Sequence, residues 1–200
     1  AAAQQQEEEE EEEEETRVTV DAAGVSAAAS TANKVEARRG GGGGGGGMHV
    51  AFHLEPYPGR TAESVRADVA YLSERYGDSV ALLRGTRGRP VYFVYDSYHI
   101  PPRDWAEMLT HGGSRTVRGD KALDGVFIGL WLTRSDGAPL EMGGFDGAYT
   151  YFASPAVSHA ADPRNWKEMS EEAAARGMMF VPSVGPGYND TKIRPWNDGA

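Results

Sequence analysis

Acidic and phenolic side chains follow several of the short apolar runs in this sequence. Glu55 comes directly after one such run, and Tyr95 and Asp96 come after another. Tyr151 lies in a third run, at residues 148–153. A carboxylate accepts hydrogen bonds from hydroxyl groups, and an aromatic ring packs against an apolar surface. This combination is suited to a ligand that has both kinds of surface, such as a sugar.

Each of these residues also has a purely structural interpretation. Glu55 precedes Pro56, a position where a carboxylate is often solvated or caps a turn. Asp96 precedes Ser97 and is equally suited to an Asx turn. The sequence does not determine which side of its segment Tyr151 faces, because the alternation of apolar and polar residues is not resolved there. The sequence alone leaves both interpretations open for all three residues.

The residues that usually mark a metal or cofactor site are not arranged as such a site. Metal-ligand spacing is missing among the histidines His53, His99, His111 and His159. The glycines around Pro186 lack the Lys of a phosphate-binding loop and predict a turn. The sequence has no Cys, which excludes disulfides and Cys-ligated zinc. We therefore expect no metal and no cofactor.

Apolar runs alternate with amphipathic stretches from residue 48 onward, a pattern typical of a mostly parallel sheet covered by helices. The runs predict six strands, at residues 49–57, 80–84, 91–98, 125–132, 148–153 and 178–184. The link between the second and third runs is too short for a crossover helix, which allows a hairpin there. In α/β sheets of this kind, binding groups gather just beyond the carboxyl ends of the strands. Glu55, Tyr95 and Asp96 are predicted to lie at that edge.

Three helices are predicted between these runs. One helical face is formed by Val65, Val69, Leu72 and Tyr76. Thr61 is suited to cap the start of that helix and Gly77 its end. Asp162 and Pro163 predict the start of a second helix, whose apolar stripe is Trp166, Met169 and Ala173. A shorter helix is predicted to begin at Pro102.

Residues 1–47 differ in composition from the rest of the chain. Residues 7–15 are consecutive Glu and residues 40–47 are consecutive Gly, a composition that cannot bury a core. We therefore predict a disordered tail at 1–47 and a folded part at 48–200. The formal net charge of -10 comes mostly from the tail, and the folded part has no basic stripe that would favour nucleic acid or a membrane surface. No membrane-spanning run or secretory signal is visible.

Six sequence blocks in the folded part carry a family resemblance. They are His53-Leu54-Glu55-Pro56-Tyr57, Tyr95-Asp96-Ser97-Tyr98, Asp124-Gly125-Val126-Phe127-Ile128, Gly144-Phe145-Asp146-Gly147, Tyr149-Thr150-Tyr151-Phe152-Ala153-Ser154, and Pro182 through Tyr188 followed by Ile193-Arg194-Pro195-Trp196-Asn197. In this order and spacing they resemble the endo-α-1,2-mannosidases of glycoside hydrolase family 99. The resemblance implies an α/β fold, a (β/α)8 barrel, of which about six strands are present here. It also implies cleavage, with retention, of an internal α-1,2-mannosidic bond in N-glycans or mannan, without a metal.

The same resemblance implies a particular mechanism. In that family one Glu acts as a base, so that the substrate's own 2-hydroxyl attacks the anomeric carbon and forms a 1,2-anhydro sugar. A second Glu protonates the leaving oxygen, and water then opens the intermediate. Both Glu belong to an Asn-Glu-Trp-His-Glu motif downstream of the Arg-Pro-Trp-Asn segment, and this motif does not occur in the sequence.

We therefore predict no catalytic residue in these 200 residues and expect the chain to be an inactive fragment of a longer glycosidase. The resemblance implies that the chain supplies the substrate-binding residues, which are Glu55, Tyr95, Asp96, Tyr151, Tyr188, Arg194 and Trp196. The expected ligand is a mannose-containing oligosaccharide bound by a monomer, with no nucleic acid and no membrane contact. The family implies a membrane-anchored protein of the Golgi lumen, although no anchor is visible.

Two other functions remain open. A carbohydrate-binding barrel without catalysis would use the same strand ends, and the sequence beyond the chain would distinguish it from an enzyme. A phosphate-binding barrel isomerase is the third hypothesis, and it is weakened because no glycine-rich anion loop is visible at a helix start.

Overall fold

A parallel β-sheet with helices packed on one face forms the folded part of the chain. The computed structural model describes residues 48–155 and 157–185. The elements there are, in chain order, β1 (Phe52–Leu54), α1 (Ala62–Tyr76), β2 (Val91–Val94), α2 (Pro102–Leu109), β3 (Val126–Leu130), α3 (Gly137–Gly143), β4 (Gly147–Tyr149), α4 (Trp166–Ala175) and β5 (Met179–Val181). The strands lie side by side in chain order, and each is parallel to the next. Consecutive parallel βα units of this kind are the repeat of a (β/α)8 barrel.

Helix α1 begins and ends where the sequence predicts. The Thr61 side chain accepts a hydrogen bond from the Ser64 backbone N–H, and the Ser64 hydroxyl accepts one from the Thr61 backbone N–H. This capping box satisfies two amide groups that a helix start otherwise leaves without partners. Val65 and Val69 are buried on the face that packs against the sheet. The helix therefore follows β1 closely and fixes the loop between them.

Helices α2 and α4 also match the prediction, whereas α3 was not expected from the sequence. Asp162 caps a short 3-10 turn at Pro163–Asn165, and α4 follows directly from it. Helix α3 is only seven residues long, with glycine at both ends and Pro139 inside its first turn, so that no regular apolar stripe marks it in the sequence. Tertiary packing stabilises it instead, because Leu140 is buried in the core shared with the other helices.

The strands direct alternate side chains into two separate cores. On the helix-covered face, Tyr92, Val94 and Phe127 pack with residues of the helices. The second core contains residues of the strands alone, namely Val91, Val126, Ile128, Leu130 and Tyr149. The partly buried rings of Phe93 and Tyr95 pack against this second core. In a (β/α)8 barrel, the face without helices is the barrel interior.

The predicted strand at residues 80–84 is wrong. That segment makes only two isolated bridges, a parallel one between Val50 and Leu82 and an antiparallel one between Arg84 and Pro90. The reason is that only Leu82 of the run is buried, while Val80 is 94% exposed. The segment therefore contributes two apolar anchors, the buried Leu82 and the partly buried Leu83. Among the described residues, the single antiparallel bridge is all that exists of the possible hairpin.

The five confirmed strands are shorter than the apolar runs that predicted them. Strand β1 ends at Leu54 and β2 at Val94, whereas the runs continue to residues 57 and 98. The backbone leaves the sheet at those points, so that Glu55, Tyr95 and Asp96 lie on the loops just beyond the carboxyl ends of the strands. Strand β4 likewise ends at Tyr149, which places Tyr151 two residues beyond it.

The opposite, amino end of the sheet is held together by Arg118. Its side chain is only 7% exposed and forms ion pairs with Asp124 at 3.3 Å and Asp146 at 2.9 Å. The same guanidinium donates to the backbone carbonyl oxygens of Leu109 and Gly144, at 2.7 Å in each case. A buried charge with this many partners connects the segments that lead into β3 and β4.

Candidate functional site

Glu55 lies directly after β1 and is oriented by His53. The imidazole Nδ1 lies 2.7 Å from Glu55 Oε1. Residues two apart on a strand face the same side of the sheet, so that His53 in the strand and Glu55 at its end share the interior face. Because an ionised carboxylate only accepts hydrogen bonds, Nδ1 carries the proton of this pair. The Glu55 side chain is 27% exposed, and its second oxygen has no hydrogen-bond partner among the described residues.

Tyr149, the last residue of β4, binds the other nitrogen of His53. The distance from the Tyr149 hydroxyl oxygen to His53 Nε2 is 2.8 Å. In a neutral imidazole protonated at Nδ1, Nε2 accepts, so the phenol is the donor. This chain of hydrogen bonds from Tyr149 through His53 to Glu55 connects β4 to β1 across the sheet. It restricts the rotation of a carboxylate that would otherwise swing freely.

Tyr95 and Tyr151 form an aromatic wall beside Glu55. Their ring centroids are 5.0 Å apart, and the ring of Tyr95 is 5.3 Å from the imidazole of His53. Tyr151 is 48% exposed, so that part of its ring is available to a ligand. Such a surface packs against the apolar face of a pyranose.

Asp96 adds a second carboxylate at the end of β2. Its backbone is left-handed, with φ 46° and ψ 43°, a conformation that few residues other than glycine adopt. The Arg60 guanidinium donates to the carbonyl oxygens of Tyr95 at 2.8 Å and of Asp96 at 2.6 Å. The Asp96 carboxylate lies 3.7 Å from His99 Nε2. Glu55 and Asp96 therefore flank Tyr95 from two neighbouring strands.

The phenols of Tyr149 and Tyr95 remain protonated at neutral pH. Burial raises the pKa of Tyr149, and the nearby charge of Glu55 raises it further. Burial also raises the pKa of Tyr95, and the adjacent Tyr151 phenol raises it further. A neutral phenol donates one hydrogen bond and accepts others. The site thus combines acceptor carboxylates, donor hydroxyls and an exposed ring, which are the groups that bind a polyhydroxylated ligand.

The described part of the site agrees with the positions expected from the sequence. Glu55, Tyr95, Asp96 and Tyr151 lie at the same edge of the sheet, and the charges of Glu55 and Asp96 both act on Tyr95 and Tyr149. The other three predicted residues, Tyr188, Arg194 and Trp196, lie outside the described residues.

Three residues of the site were not predicted to belong to it. His53 was considered only as a possible metal ligand, although its position two residues before Glu55 on a strand was a signal that both share one face. Tyr149, the last residue of β4, likewise lies two residues before the predicted site residue Tyr151. Arg60 carried no signal in the sequence, because its partners are 35 and 36 residues away.

Other parts of the described structure give no second candidate of comparable quality. A cavity of about 1000 Å³ lies at the amino end of the sheet and includes Pro90, Asp124 and Asp146. Its central charges, Arg118 and these two carboxylates, already bind one another. In residues 48–155 and 157–185 no three His, Cys, Asp or Glu side chains are grouped so that they could hold a metal ion. None of the helices described is long and apolar enough to cross a membrane.

Comparison with known proteins identifies the family. The sequence model of glycosyl hydrolase family 99 matches residues 43–200. The chain belongs to glycosyl hydrolase family 99. Among curated relatives, a glycoprotein endo-alpha-1,2-mannosidase-like protein of Danio rerio is 45% identical over 74% of this chain and 34% of its own length. The glycoprotein endo-alpha-1,2-mannosidase of Rattus norvegicus is 40% identical over 75% of this chain and 33% of its own length.

Solved structures of the family confirm the predicted fold class. A GH99 endo-alpha-mannosidase of Bacteroides thetaiotaomicron superimposes with a TM-score of 0.69 at 47% identity, covering 75% of this chain and 43% of that protein. Its complex with bis-tris-propane gives a TM-score of 0.70 over 76% of this chain and 47% of that protein. The sheet is therefore part of the barrel of this glycosidase family. The chain spans about a third of the length of the curated relatives that it matches.

Proposed function

We propose that this chain supplies the sugar-binding half of the active site of a retaining endo-α-1,2-mannosidase. One observation carries the proposal: the carboxylates of Glu55 and Asp96 flank Tyr95 at the carboxyl end of a barrel sheet in a member of family 99. Active sites of (β/α)8 enzymes lie at that end. The names of the vertebrate relatives, which specify endo-alpha-1,2-mannosidases, support the choice of linkage.

Each residue has a specific proposed role in binding. Glu55 accepts hydrogen bonds from sugar hydroxyls through the oxygen that His53 does not occupy. Asp96 accepts from hydroxyls on the other side of Tyr95, and the phenol of Tyr95 donates. The half-exposed ring of Tyr151 packs against the apolar face of a mannose ring. Tyr188, Arg194 and Trp196 are proposed to complete the site on the basis of their family-like sequence positions alone.

The proposed reaction proceeds through the substrate's own hydroxyl. A Glu takes the proton of the 2-hydroxyl as its oxygen attacks the anomeric carbon, while a second Glu donates a proton to the departing glycosidic oxygen. Water then opens the resulting 1,2-anhydro sugar, and the configuration at the anomeric carbon is retained. This differs from the usual retaining glycosidase, in which an enzyme carboxylate forms the covalent bond. The two Glu belong to a motif absent from these 200 residues, so an active protein would have to supply them from outside this chain.

The biological setting is proposed from the relatives as well. Processing of N-linked glycans in the Golgi lumen is the setting we favour, because the vertebrate relatives are named as glycoprotein endo-mannosidases. Residues 1–47 are proposed to form a tail separate from the barrel part at 48–200. Removal of the tail should therefore leave sugar binding unchanged, and the protein should be a monomer in size-exclusion chromatography.

The proposal is tested with the complete protein that contains this sequence. An oligosaccharide with an internal α-1,2-mannosidic linkage should be cleaved, and NMR of the first product should show retention. Glu55→Gln should lower kcat/KM at least about tenfold through the loss of a charged acceptor. Glu74→Gln is the matched control, since Glu74 is an exposed carboxylate of α1 that lines the cavity at the other end of the sheet.

Four results would each contradict a part of the proposal. An inverted product would exclude the reaction, and equal activity of Glu55→Gln and Glu74→Gln would exclude the site. Binding without cleavage by the complete protein would favour the alternative, a carbohydrate-binding barrel without catalysis, for which the missing motif is the supporting observation. The isolated 200-residue chain should not hydrolyse the substrate, and release of a mannose-linked disaccharide by it would refute the assignment of catalysis to residues elsewhere.

A further inference from the structure

The Arg60 side chain connects two loops of the candidate site. Arg60 lies between β1 and α1, five residues after Glu55 along the chain. Its Nη1 donates to the carbonyl oxygen of Tyr95 at 2.8 Å and its Nη2 to that of Asp96 at 2.6 Å. These are the first two residues beyond β2, so that one guanidinium holds two successive peptide groups. The planar guanidinium of arginine has two parallel N–H donors and can bind two successive carbonyl groups, whereas the single ammonium group of a lysine cannot.

The turn that Arg60 holds has an unfavourable backbone conformation. Asp96 has φ 46°, and an L-residue with a Cβ is strained there unless its surroundings stabilise it. On one side, the Tyr95 N–H binds the Leu54 carbonyl oxygen at 3.0 Å, as a continuation of the sheet. On the other side, the two bonds from Arg60 hold the carbonyl groups. The left-handed turn therefore depends on contacts with the loop after β1.

The conformation of Asp96 sets the direction of its carboxylate. In the left-handed turn that carboxylate lies 3.7 Å from His99 Nε2. A return to an ordinary negative φ would rotate the Cβ bond and move the carboxylate away from the site. Arg60 itself is half-buried, and its Nε has no hydrogen-bond partner among the described residues. Its position is thus explained by the two carbonyl contacts.

We propose that Arg60 is a positioning residue for sugar binding, which acts by holding Asp96 in its left-handed conformation. The inference rests on the proposed function, because it takes Asp96 to be a sugar-binding carboxylate. Arg60 in this role makes no contact with the substrate. It couples the loop that carries Glu55 to the turn that carries Asp96, so that both carboxylates keep a fixed separation.

The test compares Arg60→Met and Arg60→Lys in the complete protein, with Arg115→Met as the matched control. Arg115 is an exposed arginine paired with Glu63 at 2.6 Å near the start of α1, outside the proposed site. Displacing a binding group by about 1 Å can reduce activity by about a hundredfold. We expect kcat/KM for an α-1,2-mannosyl oligosaccharide to fall roughly 10- to 100-fold in Arg60→Met, mainly through KM, and Arg60→Lys to recover only part of it. Arg115→Met should match the wild type.

A double-mutant cycle separates positioning from a general loss of stability. If Arg60 acts through Asp96, Arg60→Met should cause little further loss in a protein that already carries Asp96→Asn. Losses that multiply in the double variant would overturn the proposal, as would an unchanged KM in Arg60→Met. If Arg60→Met does not fold, the same cycle with Asp96→Asn is measured with Arg60→Lys, which keeps the charge.

A structural measurement tests the inference independently of activity. In a crystal structure of Arg60→Met or Arg60→Lys, we expect Asp96 to leave the left-handed region. If Asp96 keeps φ near 46° with its carboxylate in the original direction, the proposal is wrong even if the enzyme is active. An inactive wild-type protein would instead contradict the proposed function, and the conformation of Asp96 would still decide the role of Arg60.

Discussion

Substitutions of His53 separate the two hydrogen bonds that its imidazole makes. The amide nitrogen of Asn, a donor like Nδ1–H, is as many bonds from Cβ as Nδ1. The amide oxygen of Gln, which can accept from the Tyr149 phenol, is as many bonds from Cβ as Nε2. His53→Asn should therefore keep the bond to Glu55 and lose the one to Tyr149, whereas His53→Gln should do the reverse. If the orientation of Glu55 determines sugar affinity, the Gln variant should bind more weakly than the Asn variant.

The size of this difference follows from the geometry of the pair. A hydrogen bond to a charged group contributes about 1.5–3 kcal/mol. The side chains of His53 and Glu55 are 32% and 27% exposed, so that solvent weakens their interaction and about 1–2 kcal/mol remains. That corresponds to a roughly 5- to 30-fold loss of affinity in His53→Gln. His53→Asn should stay within about threefold of the wild type, because the bond it loses is between neutral groups and does not involve Glu55.

Isothermal titration calorimetry of the complete protein with an α-1,2-linked mannose oligosaccharide measures both affinities. Melting temperatures of the two variants should be similar, since each loses one partly buried hydrogen bond. Equal affinities in the two variants, or a weaker Asn variant, would refute the reasoning that His53 acts on the ligand through Glu55.

Three further predictions concern the two ends of the sheet. Arg118→Met should reduce the free energy of unfolding by about 2–3 kcal/mol in urea titrations, because Asp124 and Asp146 lose their buried partner and keep only the longer ion pairs to Arg89, at 3.5 and 3.4 Å; a loss under about 1 kcal/mol would contradict this. Burial alone would raise the pKa of Asp124, but its hydrogen bonds from Gly119 and Arg118 lower it below 3.8. Its stabilisation is therefore fully present above about pH 4 and is lost as the pH falls through the lower folded-state pKa, so that Asp124→Asn should destabilise the protein at pH 7 and progressively less as the pH is lowered below about 4; an effect that does not change over this range would argue against the assignment. Tyr151→Ala should raise KM roughly tenfold with an unchanged melting temperature, because the ring is half-exposed; an unchanged KM would remove Tyr151 from the site.

The sequence predicts the elements whose signals are local. Helix α1 has a regular apolar face and a capping residue at Thr61, and both are found as predicted. Helix α3 and the segment at 80–84 were misjudged because their structure depends on distant contacts. Leu140 makes α3 part of the core, and the absence of neighbours around Val80 prevents a strand there.

In the candidate site, too, the features that depend on local sequence could be predicted and those that depend on distant contacts could not. Glu55 and Asp96 could be placed at one edge of the sheet because each follows a strand, and parallel strands end on the same side. The orientation of each carboxylate could not be predicted, because that of Glu55 depends through His53 on Tyr149 and that of Asp96 depends on Arg60, and each of these partners is far away in sequence. The left-handed conformation of Asp96 is likewise a result of tertiary contacts, since its local sequence allows an ordinary turn.

The most direct test of the account is a crystal structure of the complete protein with a bound α-1,2-linked mannose disaccharide. The account predicts sugar hydroxyls within about 3 Å of the carboxylates of Glu55 and Asp96, with the Tyr151 ring against the apolar face of one mannose. A disaccharide bound elsewhere, for example in the cavity of about 1000 Å³ beside Asp124, with no contact to Glu55 or Asp96, would contradict it.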